Sequence, residues 1–255
     1  MMISGYPWWT VLLIGMGVFC ASFVDAIGGG GGIISVPVYL LAGLPTHYAL
    51  GTNKLSSGLG TAASTLRYIR NGYADWSLAI PSIVLALAGA HVGTRLQLML
   101  DERYLKYMLL IVLPVVAVVM LRRKGMPEQP GQMHPAARRA IVWTASAVVG
   151  AYDGFYGPGT GTFLLLIFCR LAKMDVRTAS GNVKLVNFSS NIGALVTSLM
   201  AGKVLLPIGL IAAVFSMAGH YIGAGLTIKN GGKVVRPVIL TVLVLLAVKV
   251  ITELV

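Results

Sequence analysis

The stretch D-A-I-G-G-G-G-G-I-I-S-V-P at residues 25–37 decides how the chain is organised, because a version of it returns in the second half. The later copy reads D-G-F-Y-G-P-G-T-G-T-F-L at residues 153–164. Each copy is followed by a lysine within a second apolar run: Lys54 in A-L-G-T-N-K-L-S-S-G, and Lys184 in A-S-G-N-V-K-L-V-N-F. Both halves therefore contain a glycine-dense break, a short apolar run and a lysine-bearing run, in that order.

The composition is that of an integral membrane protein. Of the 255 residues, 56% are hydrophobic and 11% are charged, whereas about a quarter of the residues in a soluble domain are charged. The net charge of +12 fits basic loops on the cytoplasmic side of a membrane, so we do not expect nucleic acid as a partner. The motifs Gly-x-Ser-x-Gly, His-Glu-x-x-His and Cys-x-x-Cys do not occur. We therefore expect neither an enzyme nor a metal or cofactor site.

Hydropathy divides the chain into ten apolar runs. A bilayer core of about 30 Å needs about 20 helical residues to cross it, and two of the runs are clearly shorter than that. Both short runs follow a glycine break at corresponding places in the two halves, which is typical of discontinuous membrane helices. The ten runs are 8–28, 33–44, 47–66, 76–98, 104–121, 140–154, 162–172, 178–201, 204–228 and 234–252.

The repeat extends through most of the chain. An offset of 130 residues carries Gly51 to Gly181 and Lys54 to Lys184, and an offset of 129 aligns the glycine breaks. The sequence predicts one all-α membrane domain: a first repeat at 1–121, a cytoplasmic linker at 122–139 and a second repeat at 140–255. If each repeat has about five helical elements, with one broken or short helix in each, the second repeat is inverted. That arrangement gathers most Lys and Arg residues on one face, as the positive-inside rule requires.

Lys54 and Lys184 are the first candidates for function. A charged lysine inside a membrane span costs about 2.5–3.5 kcal/mol, so it is usually paired, hydrated or functional. Two lysines at matched positions are hard to explain by snorkelling alone, and together they would attract a small anion to a central cavity. Polar residues at helical spacing line the same runs and provide either ligand contacts or interhelical hydrogen bonds: Asn53, Ser57, Asn187 and Asn191.

The glycine breaks supply a second kind of anion contact. The first N–H groups of a helix have no intrahelical acceptor and lie at the positive end of its dipole. Each short helix therefore predicts an anion seat near the bilayer midplane, although close helix packing explains the same glycines. The residues assigned to these seats are Gly28, Gly30, Gly32, Gly157, Gly159, Thr160 and Gly161.

Two further residue types, aspartate and histidine, are titratable. Asp25 and Asp153 precede the breaks and could pair with a lysine, cap a helix or carry a co-transported proton; we favour the pairing or structural role. His91 and His220 lie on equivalent helices, and we interpret both as packed, hydrogen-bonded histidines rather than proton relays.

The motifs resemble those of the sulfite exporter TauE/SafE family, which is also called the toluene sulfonate uptake permease family. The resemblance rests on the stretch at 25–37, on R-N-G-Y-A-D-W at 70–76 and on G-N-V-K-L-V-N-F-S-S-N at 181–191. It covers nearly the whole chain except the linker. It implies a permease for small sulfur-containing anions such as sulfite, thiosulfate and sulfoacetate, with the breaks and the lysine-bearing helices as its site. The second break departs from the plain glycine run at Tyr156, Pro158 and Thr160.

The sequence thus predicts a multi-pass transporter of the inner or plasma membrane. We expect a secondary exporter of sulfite, sulfoacetate or other organosulfonates, working by alternating access around the two lysines. Its partners would be the anion and the lipid bilayer, while proton coupling and a homodimer are left open. An anion channel and a non-transporting membrane scaffold remain as alternatives.

Overall fold

The computed structural model describes residues 2–105, 107, 108, 111, 112 and 127–231, and this part of the chain is almost entirely helical. A short hairpin of Met2–Ile3 and Tyr6–Pro7 precedes the first helix. The helices of the first half are α1 (Trp8–Gly28), α2 (Gly32–Leu41), α3 (Thr46–Arg70) and α4 (Trp76–Leu98). Those of the second half are α5 (Pro135–Phe155), α6 (Thr160–Leu166), α7 (Val176–Met200) and α8 (Leu206–Asn230), and a π-helical turn at Ile167–Leu171 continues α6.

These helices follow the predicted apolar runs closely. The two short runs become α2 and α6, each directly after a glycine break. Helix α5 begins at Pro135, where the side chain of His134 accepts a hydrogen bond from the Ala136 N–H group, so the last residues of the predicted linker are helical. The run at 234–252, most of the run at 104–121 and the first part of the linker lie outside the described residues.

Three of the described helices, α1, α4 and α8, are long and apolar enough to cross a membrane by length and composition. The lysine-bearing helices α3 and α7 are equally long, at 25 residues each, but they carry more polar residues. Most of those polar residues are buried, because α3 packs against α7 and α8 while α7 packs against α4. The polar helices therefore form the centre of the bundle, and the apolar helices α1, α4 and α8 pack around them.

Glycines at matched positions of the two halves pack against backbone carbonyl groups of the opposite half. A Cβ atom on Gly89 would lie 2.6 Å from the carbonyl oxygen of Ala147, and one on Gly219 would lie 2.5 Å from that of Phe19. Glycine allows helix backbones to approach this closely in membranes. As a result, α4 packs tightly on α5 and α1 packs tightly on α8. In the same way, Gly51 packs against the backbone carbonyl group of Lys203, and Gly181 packs against that of Tyr73.

The two glycine breaks lie directly against each other at the centre of the bundle. A Cβ atom on Gly29 would overlap the backbone of Gly161 and Thr162, and one on Gly32 would lie 3.2 Å from the Cα atom of Pro158. Gly29 also has a φ of +74°, which residues with a Cβ atom adopt only with strain. The breaks are therefore glycine-rich partly because two backbones must meet there.

Replacing Gly29 with Ala tests this contact. The change should destabilise the protein through its backbone, because φ of +74° with ψ of 173° is a region that almost only glycine adopts, at about 1–3 kcal/mol, and through overpacking against Gly161, at about 1–3 kcal/mol more. Gly72 is the matched control, because its φ is +76° and a Cβ atom there would meet nothing within 4 Å. Thermal unfolding in detergent should show a clearly larger loss for G29A than for G72A; equal losses would contradict the close approach of the breaks.

Candidate functional site

Each buried lysine pairs with the aspartate that precedes the break of the other half. Lys54 Nζ lies 2.9 Å from Asp153 Oδ2, and Lys184 Nζ lies 2.7 Å from Asp25 Oδ2. The four side chains are between 3% and 17% exposed. The two ion pairs therefore cross between the halves, and the pairing role that the sequence favoured for both carboxylates is present.

Helix ends explain why the lysines bind at these positions. Asp25 and Asp153 lie in the last turns of α1 and α5, where backbone carbonyl groups run out of intrahelical donors. Lys184 Nζ also donates to the carbonyl oxygen of Asp25, at 2.6 Å, and Lys54 Nζ donates to that of Asp153, at 2.6 Å. A cation at a helix C-terminus is further favoured by the helix dipole. Each lysine thus neutralises a carboxylate and caps the helix that carries it.

The carboxylates have different further partners. Asp25 Oδ1 accepts a hydrogen bond from the N–H group of Gly31, at 3.0 Å, so this carboxylate already occupies part of the anion seat predicted at the start of α2. Asp25 Oδ2 also lies 3.8 Å from His220 Nε2. Asp153 Oδ2 instead accepts from Ser190 Oγ, at 2.7 Å. The two matched pairs are therefore alike in their lysines and unlike in their third partner.

A polar cavity lies where the two breaks and the two lysine-bearing helices meet. About 40 Å³ of it is open to the centres of water-sized molecules, which is room for about three waters. All of the predicted site residues line it except Lys184 and Gly28. Those that line it are Asp25, Gly30, Gly32, Asn53, Lys54, Ser57, Asp153, Gly157, Gly159, Thr160, Gly161, Asn187 and Asn191.

Lys184 does not line this cavity, contrary to the expectation that both lysines approach one central space. It lines a smaller cavity of about 10 Å³, which shares Asp25 and Gly161 with the larger one. Its ammonium group bonds both the carboxylate and the carbonyl oxygen of Asp25 at the end of α1, and Asp25 lines both cavities. Only Lys54 is placed to contact a guest in the main cavity.

Several predicted polar residues already have partners within the protein. Ser57 Oγ donates to Asn53 Oδ1, at 3.3 Å. Asn191 Nδ2 donates to the carbonyl oxygen of Asn187, at 2.8 Å, and Thr160 Oγ1 donates to that of Gly157, at 2.7 Å. In the described part of the chain, no group of three or more His, Cys, Asp or Glu side chains could hold a metal ion. The lining of the cavity supplies hydrogen-bonding and charged groups.

The family comparison agrees with the motifs. The family model described as sulfite exporter TauE/SafE matches residues 13–250. The chain belongs to the TauE/SafE family. It is a multi-pass membrane protein of a transporter family, as the sequence predicted.

Named relatives of this TauE/SafE chain match over most of its length. It is 34% identical over 238 residues to a Sinorhizobium protein named "Probable membrane transporter protein ORF9", which covers 92% of this chain and 90% of the relative. It is 31% identical over 241 residues to "Probable membrane transporter protein YfcA" of Escherichia coli K12, covering 93% and 89%. A Haemophilus influenzae protein named "Probable membrane transporter protein" is 29% identical over 221 residues, covering 87% and 86%. No solved structure matches the chain.

Two buried polar atoms in the cavity of this TauE/SafE protein find no hydrogen-bond partner among the described residues. They are Ser35 Oγ and Asn187 Oδ1, and their side chains lie in residues only 3% and 5% exposed. Buried polar groups nearly always have a partner; the Ser35 hydroxyl group can donate or accept a hydrogen bond, whereas the amide oxygen of Asn187 can only accept one. The sequence analysis did not predict Ser35. The available signal was a serine in the first turn of a short apolar helix that follows a glycine break. The sequence analysis also left Ser22, which lines the cavity too, out of the site.

The crossed pairs can be tested by a double-mutant cycle in this TauE/SafE protein. Lys54→Met and Asp153→Leu should each destabilise the protein by about 3–5 kcal/mol, because each leaves a buried charge without its partner. The double variant should recover part of that loss, with a coupling energy of about 0.5–3 kcal/mol. Thermal unfolding in detergent measures all three.

The control combines Lys54→Met with Asp25→Leu, which pair with different partners. That double variant should show no recovery. Recovery with Asp25 rather than Asp153 would show that the pairing between the halves is not the one described.

Proposed function

We propose that this protein is a secondary transporter that exports small sulfur-containing anions, such as sulfite, sulfoacetate or other organosulfonates. The observation that carries the proposal is the small polar cavity at the meeting of the two breaks. Lys54 lines it, and so does Ser35, whose hydroxyl group has no hydrogen-bond partner among the described residues. The TauE/SafE family, described as sulfite exporters, supports the sulfur-containing class of anion.

The size of the cavity favours an oxyanion group over a large organic molecule. Room for about three waters is close to the space that the three oxygens of a sulfite or sulfonate group need. A larger organosulfonate would place its sulfonate end here and its remainder along the path to solvent.

Lys54 keeps one donor for such a group. An ammonium group has three N–H donors, and two of them go to the carbonyl oxygen and the carboxylate of Asp153. The third, together with the hydroxyl group of Ser35, can bind anion oxygens. Because Asp153 neutralises Lys54, the empty site carries no net positive charge, and a bound anion competes with the carboxylate for the lysine.

The contacts between the halves support alternating access by two inverted repeats. The ion pairs cross in a matched way, and the glycines at Gly89 and Gly219 pack on opposite halves in the same manner. Equivalent surfaces that exchange partners are what two repeats related by a two-fold axis require. Rocking one repeat against the other would then open the central cavity to each side of the membrane in turn.

Transport assays on Ser35→Ala test the site without breaking an ion pair. Proteoliposomes should take up radiolabelled sulfite, sulfoacetate or 2-hydroxyethanesulfonate with saturation. The loss of one hydrogen bond to a charged group, about 1.5 kcal/mol, should raise KM for the transported anion about tenfold. Ser189→Ala is the matched control, because Ser189 Oγ donates to the carbonyl oxygen of Leu185 in its own helix and does not line the cavity. Equal KM values for S35A and S189A would remove Ser35 from the site.

A counterflow assay distinguishes a carrier from an anion channel and from a non-transporting scaffold. Unlabelled anion on the far side should accelerate uptake through a carrier, whereas a channel conducts without that acceleration. Folded protein that moves none of the three anions would contradict the proposed function and favour the scaffold.

A further inference from the structure

The two matched ion pairs differ by one buried histidine. His220, on α8, is 1% exposed and lines the main cavity. Its Nε2 atom lies 3.8 Å from Asp25 Oδ2. The position in the first half that matches His220, 130 residues earlier, is Ala90. Among the described residues, Asp25 therefore has a histidine beside it, and the matched position beside Asp153 holds no histidine.

The hydrogen bonds of Ser64 favour hydrogen on Nδ1 in the neutral ring of His220. The hydroxyl group of Ser64 donates to the carbonyl oxygen of Thr61, at 3.0 Å. While that hydroxyl hydrogen points to Thr61, its oxygen can accept from His220 Nδ1, at 3.3 Å, which places the ring hydrogen on Nδ1. A neutral imidazole then has only a lone pair at Nε2. Two acceptors, Nε2 and Asp25 Oδ2, consequently face each other, and this arrangement becomes favourable when a proton binds between them.

We propose that His220 and Asp25 form the proton-binding site through which this transporter couples anion movement to protons. The inference rests on the proposed function and assigns a different role to each of the two ion pairs. Lys54 and Asp153 contact the anion, while Lys184 holds Asp25 in place against His220. A proton from the water on the side to which the cavity is open binds Nε2, and the resulting imidazolium forms an ion pair with Oδ2. The proton leaves by the reverse step on the other side, so that no other bond changes.

The charges around His220 explain why one proton would accompany one anion, an electroneutral step that the outward concentration gradient of the anion would drive. Asp25 on α1 and Lys184 on α7 neutralise each other, and Lys54 and Asp153 do the same across the cavity. Other charged side chains of the described residues lie farther along α8 or on its neighbours: Lys229 on α8 itself, Arg70 of α3, Arg67 of α3, which bonds the carbonyl oxygen of Tyr221, and Arg177 of α7, which bonds that of Ile228. A proton on His220 therefore adds one positive charge to the cavity wall.

A single uncompensated charge in a membrane interior is costly. A monoanion in the cavity and a proton on His220 remove that cost for each other. Each should therefore increase the affinity of the site for the other, which is a coupling between two binding events.

Proton counting on purified protein tests the proposal. The probe is 2-hydroxyethanesulfonate, a monoanion that does not titrate between about pH 5 and 8, the range in which histidine does. Binding to the wild type in weakly buffered detergent solution with a pH dye should take up about one proton per anion. His220→Gln should bind the anion more weakly and take up almost none.

The matched control is His91→Gln. His91 bonds Thr197 Oγ1 through Nδ1, at 2.8 Å, and does not line the cavity, so its variant should take up protons as the wild type does. Ser64→Ala is the second variant. Without that acceptor the neutral ring can hold its hydrogen on Nε2 and donate to Asp25, so proton uptake should fall by at least half even if His220→Gln does not fold.

The outcomes separate this inference from the proposed function. Anion binding by the wild type without proton uptake would overturn the inference and leave the anion transporter intact. Unchanged proton uptake in folded His220→Gln, or in Ser64→Ala, would overturn it as well. Failure of the wild type to bind any of the three anions would overturn the proposed function itself.

Discussion

The structure depends on the two lysine–aspartate pairs that cross between the halves. A buried charge without a partner is far costlier than a paired one, and neither half can pair its own lysine with its own aspartate in this arrangement. Each half therefore needs the other to neutralise its charges and to cap its first helix. The glycine breaks follow from the same constraint, because the helix ends that carry Asp25 and Asp153 can meet the lysines only if the two backbones lie in contact.

The pairs also bear on how the protein could move. A buried ion pair is weak evidence for stability, since an apolar replacement is often as stable, but it fixes which surfaces meet. In the proposed cycle an anion competes with Asp153 for Lys54 at the contact between the halves. The interaction that holds the halves together would then be the one that the substrate changes. A substrate can shift a conformational equilibrium only through such a difference in contacts.

The two halves have matching ion pairs, but the residues around each pair differ. Lys54 lines the main cavity, whereas Lys184 lines the smaller one. His220 stands beside Asp25, and Ser190 bonds Asp153. The two ion pairs are therefore similar, and because their neighbours differ, each pair has a separate role in the proposed mechanism.

The sequence by itself determined the helices, the breaks, the membrane setting and the family. The run predicted at 76–98 is α4, and the run at 8–28 is α1, because hydropathy and glycine breaks are local signals that neighbouring residues carry. Only the tertiary structure decided that Lys54 binds Asp153, that Lys184 lines a separate, smaller cavity, and that Ser35 lines the main one. The paired residues are 99 and 159 positions apart. Contacts at that separation depend on how helices pack across the bundle, and no periodicity within a single helix encodes them.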